Sequence, residues 1–257
     1  VVVANRDKDR TVALLEEMGI NSLTLSRKSH SVFSLPAEMI VRDYRLWKYC
    51  RQSNVDILTG WGGTCAAHAG FALGKPVVIW GDTEAAALAH KITYPFCTAF
   101  ITPECFQQRF GEKHITYPGC PELAYLHPSR FSPDAQAVRD AGIDPDEKYC
   151  LMRLVNWGAH HDVGEHGIKV KDKIQFINSI AEQARVYISS EDKLPEELLK
   201  YQIDVPVDIH HVLAFADVYV GEGITMAREA AILGVPSICT NSTVTGNIRM
   251  LEEYGLV

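Results

Sequence analysis

Short apolar runs, each followed by a turn and then a helical pattern, recur along almost the whole chain. This alternation restricts the fold more than any other feature. "VVVANR" precedes a helix through Glu17 that Gly19 closes, and "NSLTLS" precedes a long amphipathic stretch from Leu35 to Gln52. "DILTG" runs into a glycine-rich turn and a small-residue helix over Thr64 to Leu73, and "PVVIW", "CTAFITP" and "HITYPG" continue the series. Apolar runs alternating with 3.6-period stretches predict parallel βαβ units with right-handed crossovers. The segment from Pro118 to Pro145 breaks the rhythm: it is rich in Pro, Ser and Asp, contains "HPSRFSPD", and reads as an interdomain connection. A second series follows, with strands at "KYCLMRL", "ARVYISS", "DVYVG" and "PSICTN" and helices over Lys171 to Gln183, "PEELLKY", Ile209 to Phe215 and the stretch after Gly223.

The expected architecture is therefore α/β: two Rossmann-like parallel-sheet domains facing a cleft, over residues 1–127 and 128–257. A length of 257 residues suits two such units. The chain opens directly on a strand pattern without an initiator Met and closes on "EEYGLV" just after a short helix. Both ends read as cut, with a strand and helix expected upstream and a helix downstream.

Composition narrows the function classes. A net charge of −7 disfavours a nucleic-acid groove or an anionic membrane surface, while leaving room for a local phosphate pocket. The cysteines at 50, 65, 97, 105, 120, 150 and 239 are odd in number and form no CxxC pair, which argues against a disulfide framework or a structural zinc site. Several sit in apolar runs as small buried hydrophobes. With no signal peptide and no run long enough to span a bilayer, a cytoplasmic location is expected.

The stretch "VGEGITMAREAAILGVPSI" places Gly221, Glu222 and Gly223 between a strand end and a helix that starts near Ile224 or Thr225. Helix-opening N–H groups lack intrahelical partners and favour an anion, and ligands of open α/β sheets gather at such strand ends. A diphosphate on Gly221–Thr225 is one reading, with Thr225 as a cap or phosphate ligand and Glu229 accepting from ribose hydroxyls. The other is a tight turn with Glu222 favourably placed on the helix dipole. On the first reading Glu222 points away from the diphosphate, to a sugar hydroxyl or to a cation such as Arg153 or a nearby His.

In the first domain, "TGWGGTCAAHAG" offers Gly62, Gly63 and Thr64 as substrate contacts or as a closely packed turn. "WGDTEAA" offers Asp82 and Glu84 for general-base work or for holding sugar hydroxyls, with an ordinary helix cap as the alternative. "LMRLVNWGAHHDVGEHG" gathers Arg153, His160, His161, Asp162, Glu165 and His166 around Trp157. A substrate or acid–base role is favoured, with Asp162 orienting an imidazole and Arg153 neutralising phosphate. A polar surface loop and a metal site are the alternatives, and no helical HExxH spacing supports metal. His210 and His211 open the helix before "DVYVG" and face either the cleft or solvent, while Tyr44 and Trp47 read as core or interface.

These residues resemble the GT-B fold of nucleotide-sugar enzymes. "GITMAREAAILGVPSI" is similar to the nucleotide-binding helix of the lipid-linked peptidoglycan N-acetylglucosaminyltransferase and of UDP-N-acetylglucosamine 2-epimerase. There a glycine turn takes the diphosphate and a helix glutamate the ribose, places held here by Gly223 and Glu229, with Gly234 and Pro236 at matching distance. "GKPVVIWGDTE" resembles a strand ending in a carboxylate near sugar or acceptor, and the His-bearing loop sits where the epimerase has one. "WGDTE", "HPSRFSPD", "RLVNWGAHHDVG", "ISSE" and "GEGITMAREAA" are similar, across nearly the whole chain, to the GT-B-like family of domain of unknown function 354. An acidic residue between the glycines is part of that family's turn. Two departures stand out. Gly62 and Gly63 lie where the epimerase carries one carboxylate of a charged pair, and the transferase's upstream glycine-rich loop would precede Val1. The resemblance implies a UDP- or other nucleotide-sugar-dependent glycosyltransferase-like enzyme of polysaccharide biosynthesis. It would use the nucleotide sugar as substrate, an unspecified acceptor and no further cofactor or metal, with a homodimer left open. A non-hydrolysing epimerase and a noncatalytic nucleotide-sugar-binding protein are the alternatives.

Overall fold

The computed structural model describes residues 1–8, 11–27, 35–154, 170–190, 193–203, 209–240 and 245–257. The chain separates into two compact units, Val1–Pro118 and Gly119–Val257. The division falls at the start of the Pro-rich segment, earlier than residue 127.

In the first unit, β1 (Val3–Asp7) and β2 (Ser22–Arg27) pair in parallel across α1 (Thr11–Glu17). After them come α2 (Leu35–Gln52), β3 (Leu58–Trp61), α3 (Thr64–Leu73), β4 (Val77–Trp80), α4 (Ala87–Thr93), β5 (Ala99–Pro103) and β6 (His114–Tyr117). The last four strands form a parallel sheet in the order β3-β4-β5-β6. Leu46 and Cys50 of α2, Ala67 and Ala69 of α3, and Leu58, Val77, Ile79 and Phe100 of the strands share one core. Small residues let α3 lie close on the sheet: a Cβ on Gly70 would run into the Val77 side chain.

Two histidines of this unit sit where burial disfavours the charged form. The Phe110 amide donates to His114 Nδ1 at 3.2 Å, so His114 Nε2–H donates to Thr102 Oγ1 at 2.8 Å. His90 sits edge-on to Phe100, Phe106 and Phe110, with ring centroids 5.5, 5.8 and 5.6 Å away. Burial lowers both imidazoles below their ordinary 6.5; the Arg109 charge pushes His114 the same way, while Gln108 and the Glu84 charge work against the shift in His90. Below pH 6.5 the unfolded chain therefore binds protons that the folded unit refuses, and above it these groups contribute no pH dependence. We expect the first unit to lose stability as pH falls below 6.5, by at most about 1.4 kcal/mol per pH unit per histidine. Urea midpoints of wild type and His90→Phe across that range check this, the variant showing the shallower slope.

In the second unit the segment after Pro118 is not a free connection. It forms α5 (Leu123–Leu126) and α6 (Ala135–Asp140), and Leu126 and Val138 are buried. Asp134 caps α6 by accepting from the Gln136 amide at 2.8 Å, while its own N–H donates to His211 Nδ1 at 3.0 Å. Phe131 stacks on His211 at 4.9 Å. The turn-forming residues here bend the chain around two short helices, because their apolar residues have a core to enter. His211 is thus occupied by this segment.

The remaining elements are β7 (Tyr149–Leu154), α7 (Val170–Ala181), β8 (Arg185–Ser190), a 3-10 turn over Glu196–Tyr201, α8 (Ile209–Ala214), β9 (Val218–Gly221), α9 (Ile224–Ile232), β10 (Ser237–Cys239) and α10 (Gly246–Glu253). The parallel sheet has the order β10-β9-β7-β8. Tyr149 and Leu151 of β7 join the cluster on one face with Tyr219, Leu213 and Ala227, and Cys150 and Met152 the cluster on the other with Ile177 and Ile188. A strand buried on both sides reads as a continuous apolar run, as "YCLM" does. Among the described residues no helix is long and apolar enough to cross a membrane.

Candidate functional site

The order β10-β9-β7-β8 makes β7 a switch point: the chain leaves it toward β8 on one side and returns to β9 on the other. The carboxyl ends of two such strands open a crevice where ligands of parallel sheets bind. Arg153 of β7 and Gly221 of β9 are in register there, and the Glu222 amide donates to the Arg153 carbonyl at 3.3 Å. α9 then starts with Gly223 as its N-cap, and no side chain caps it. By contrast Asp134 caps α6 and Thr245 caps α10. Thr225, in the first turn of α9, is exposed.

Gly221 has a structural cause of its own. A Cβ there would meet the Tyr219 hydroxyl, and the Arg153 carbonyl oxygen at 2.9 Å. Tyr219 is fully buried and its hydroxyl has no hydrogen-bond partner among the described residues. Burial, with the charges of Glu229 and Glu222 behind it, holds the phenol well above its usual range, so it stays neutral. Close approach of backbone to a phenol is enough to account for the glycine at this position.

Glu222 ion-pairs with Lys173 of α7, both side chains being largely shielded from solvent. The carboxylate between the glycines thus faces a cation from a helix whose distance in sequence hides the pairing. The Arg153 guanidinium donates to Ser189 Oγ of β8.

Glu229 and Arg228 are both buried, one turn into α9. Glu229 Oε1 accepts from the Tyr125 hydroxyl at 2.7 Å and lies 3.1 Å from His210 Nε2. Burial and the Glu229 carboxylate raise Tyr125 far above the usual phenol range, which keeps it a donor. Arg228 Nη2 meets Glu122 Oε1 at 2.5 Å, with side-chain exposures of 5% and 2%. Sequence reasoning missed Tyr125, Glu122 and Lys173; the available signal was that buried charges on a helix face must find partners.

In the first unit the two turns singled out in sequence lie at neighbouring strand ends. Trp61 Nε1 donates to Asp82 Oδ1 at 3.0 Å. Gly60 and Gly63 stand back to back, a Cβ on Gly63 falling 3.2 Å from the Gly60 Cα, and Gly62 adopts φ 58°. Thr64 Oγ1 is 2.8 Å from Thr93 Oγ1. Glu84 Oε1 accepts from the Gln107 amide at 2.9 Å, so this carboxylate anchors the loop before β6. A Cys65–His68–Asp43 group on α3 and α2 has the composition of a nucleophilic triad without its chemistry. Burial and Asp43 push the Cys65 thiol up to about 12, and both His68 nitrogens are engaged, by Asp43 at 2.6 Å and by the Ile92 carbonyl at 2.8 Å.

His160, His161 and Asp162, with Glu165 and His166, lie outside the described residues. Among the described residues no group of three His, Cys, Asp or Glu could hold a metal ion.

The sequence profile of the family described as "Protein of unknown function (DUF354)" matches residues 14–253. The chain belongs to this family. This DUF354 chain is 27% identical over 202 residues to protein MJ0665 of Methanocaldococcus jannaschii, a match covering 71% of the chain and 57% of that relative's length. Its fold is similar to the UDP-GlcNAc 2-epimerase of the same organism in complex with UDP-GlcNAc and UDP, with TM-score 0.64 and 12% identity over 93% of this chain and 74% of that one. It is also similar to Acinetobacter baumannii MurG, with TM-score 0.53 and 14% identity over 95% and 72% of the two chains. The DUF354 chain thus has the GT-B-like α/β architecture with parallel sheets.

Proposed function

We propose that the chain binds a nucleoside-diphosphate sugar and uses it as a glycosyl donor. The diphosphate would lie on the amides that open α9 and the ribose on Glu229. The observation that carries this reading is the start of α9 without a side-chain cap, at the switch point between β7 and β9. Four amides with no intrahelical partner and the positive end of the helix dipole form an anion site there. Thr225 adds an exposed hydroxyl and Arg153 a nearby cation, while Lys173 offsets the charge of Glu222, which would otherwise repel phosphate. Tyr125 and His210 on Glu229 Oε1 fix the carboxylate so that its orientation precedes ligand binding. Asp82, steadied by Trp61, is the carboxylate we assign to hydroxyl binding or proton transfer, with Gly62, Gly63 and Thr64 as the adjoining turn. Glu84 serves mainly to hold the Gln107 backbone. His160 or His161 with Asp162 supplies the acid–base group on the sequence reading alone.

A second reading, epimerisation of the bound sugar, is favoured by one observation: the fold likeness is greater to UDP-GlcNAc 2-epimerase than to MurG.

The test is a thermal-shift screen of UDP, GDP and dTDP and their sugars, followed by NMR of the best ligand. Transfer or hydrolysis releases nucleoside diphosphate; epimerisation alters the sugar signals and leaves the nucleotide attached. Binding without turnover reduces the role to recognition. A screen in which no nucleotide raises the melting temperature removes the diphosphate assignment. At 100 times Kd a genuine ligand adds about 2.7 kcal/mol, well within detection.

A further inference from the structure

Helix α2 enters the core of the first unit through Leu46 and Cys50. Its two carboxylates also turn inward. Glu38 accepts from Arg6 and Ser26, and Asp43 lies 2.6 Å from His68 Nδ1. At about 100° per residue, the opposite arc of the helix holds Ile40, Val41, Tyr44, Trp47, Lys48 and Arg51. Ile40, Val41 and Tyr44 are 66%, 42% and 58% exposed. The Tyr44 and Trp47 rings stack with centroids 6.0 Å apart, and the Arg51 guanidinium carbon stands 5.3 Å from the Trp47 ring. Arg45 flanks this arc and donates to the Leu25 carbonyl at 2.6 Å. Every charge on the outward face of α2 is therefore cationic.

A helix on the surface of a soluble unit ordinarily gives its outer face to polar residues, and one exposed apolar side chain needs no explanation. Here aliphatic and aromatic residues share the face with cations alone. The helix dipole accounts for Arg51 in the last turn. It does not account for Ile40 and Val41 in the first half, nor for the lack of a carboxylate on the arc. The chain as a whole carries −7, so this face departs locally from the charge of the molecule. That charge pattern selects the partner. A second copy of the face would set cation against cation, and a nucleic acid would leave the aliphatic side chains without apolar cover. An anionic bilayer surface meets both demands: aliphatic groups sink below the headgroups, Tyr and Trp rings sit at their level, and cations reach the lipid phosphates.

We propose that the outward face of α2 docks the first unit onto an anionic lipid surface, with the helix lying in the plane of the interface. Ile40, Val41 and Tyr44 enter the boundary between headgroups and acyl chains, while Lys48 and Arg51 pair with headgroup phosphates. The net negative charge of the chain confines the attraction to this face and keeps the attachment reversible. The proposal does not depend on the nucleotide reading, because no residue of α9 takes part.

The experiment is vesicle flotation of the full chain on phosphatidylcholine, with and without phosphatidylglycerol. The chain floats with the mixed vesicles and binds the neutral ones about tenfold more weakly or less. Salt at about 1 M, where the Debye length is about 3 Å, removes most of that difference. Lys48→Gln and Arg51→Gln each weaken binding to mixed vesicles about fivefold. Ile40→Ser weakens it about tenfold, whereas Lys148→Gln, at an exposed position of the second unit, leaves it unchanged. In chain labelled with 5-fluorotryptophan, the 19F signal that Trp47→Phe removes broadens on mixed vesicles. Three results overturn the proposal: no flotation, equal flotation on both vesicles at low salt, or flotation with the Trp47 signal unmoved. Capture by poly-L-glutamate without flotation gives the face an acidic protein partner and also overturns it. The two vesicle compositions decide on wild type alone, even if a variant fails to fold. No nucleotide is present, so this reading and the donor reading fail separately.

Discussion

Gly221→Ala costs the second unit about 3 kcal/mol, at the upper end of what overpacking exacts from a filled core. The added methyl meets the Tyr219 phenol and the Arg153 carbonyl oxygen at 2.9 Å. Neither can withdraw. Tyr219 is fully buried among Leu151, Leu213 and Ala227, and the Arg153 carbonyl belongs to the central strand β7 and accepts from the Glu222 amide. Tyr219→Phe tests the cause. That change deletes a buried hydroxyl with no partner, so by itself it is neutral or stabilising by up to about 1 kcal/mol. Combined with Gly221→Ala it removes one of the two collisions, and the double variant recovers part of the loss. Urea unfolding followed by circular dichroism, with the second unit's transition fitted separately, gives the coupling energy. Strict additivity of the two changes would show that the phenol is not what excludes a side chain at 221.

This position illustrates what the chain announces and what it conceals. The glycine at 221 is visible in the sequence, and a strand–glycine–helix pattern was enough to place a turn at the end of β9. The reason for the glycine was not visible, because two positions earlier on the same strand a tyrosine could equally have turned elsewhere. The alternation of apolar runs with helical stretches gave the parallel α/β architecture, since period and punctuation are local properties. Pairings across distance are not local. Lys173 meets Glu222 only because the β7–α7–β8 unit brings one helix over the edge of β9. His90 hides in "ALAHKIT" as an ordinary helical residue until three phenylalanines from β5 and the following loop close around it. The Pro-rich stretch misled in the opposite direction: turn residues signal where the chain bends, not whether the bent chain is packed.

That packed stretch supports the other large effect. Arg228→Met lowers the stability of the second unit by about 4 kcal/mol, because it leaves the Glu122 carboxylate, 2% exposed, without its guanidinium. Burial is the decisive condition. An exposed pair would be worth under about 1 kcal/mol and would weaken further with salt, whereas this one is shielded from both water and ions. Replacing both partners, as in Glu122→Leu with Arg228→Met, removes both charges together and returns most of the loss, since apolar groups of similar volume often substitute for a buried pair at little cost. The pair joins the start of α5 to α9, and Tyr125 on Glu229 joins them a second time one turn later. Arg228→Met therefore also speeds proteolysis within residues 119–134 at temperatures well below unfolding, while Gly221→Ala leaves that segment protected. Urea titration gives the energy, and mass spectrometry of the early cleavage products locates the opening. Cleavage first at the Gly221 turn would mean that α9, not α5, depends on the pair. In that case the ion pair would be holding α9 in place, and any ligand affinity that rests on the proposed anion site there would fall together with the stability.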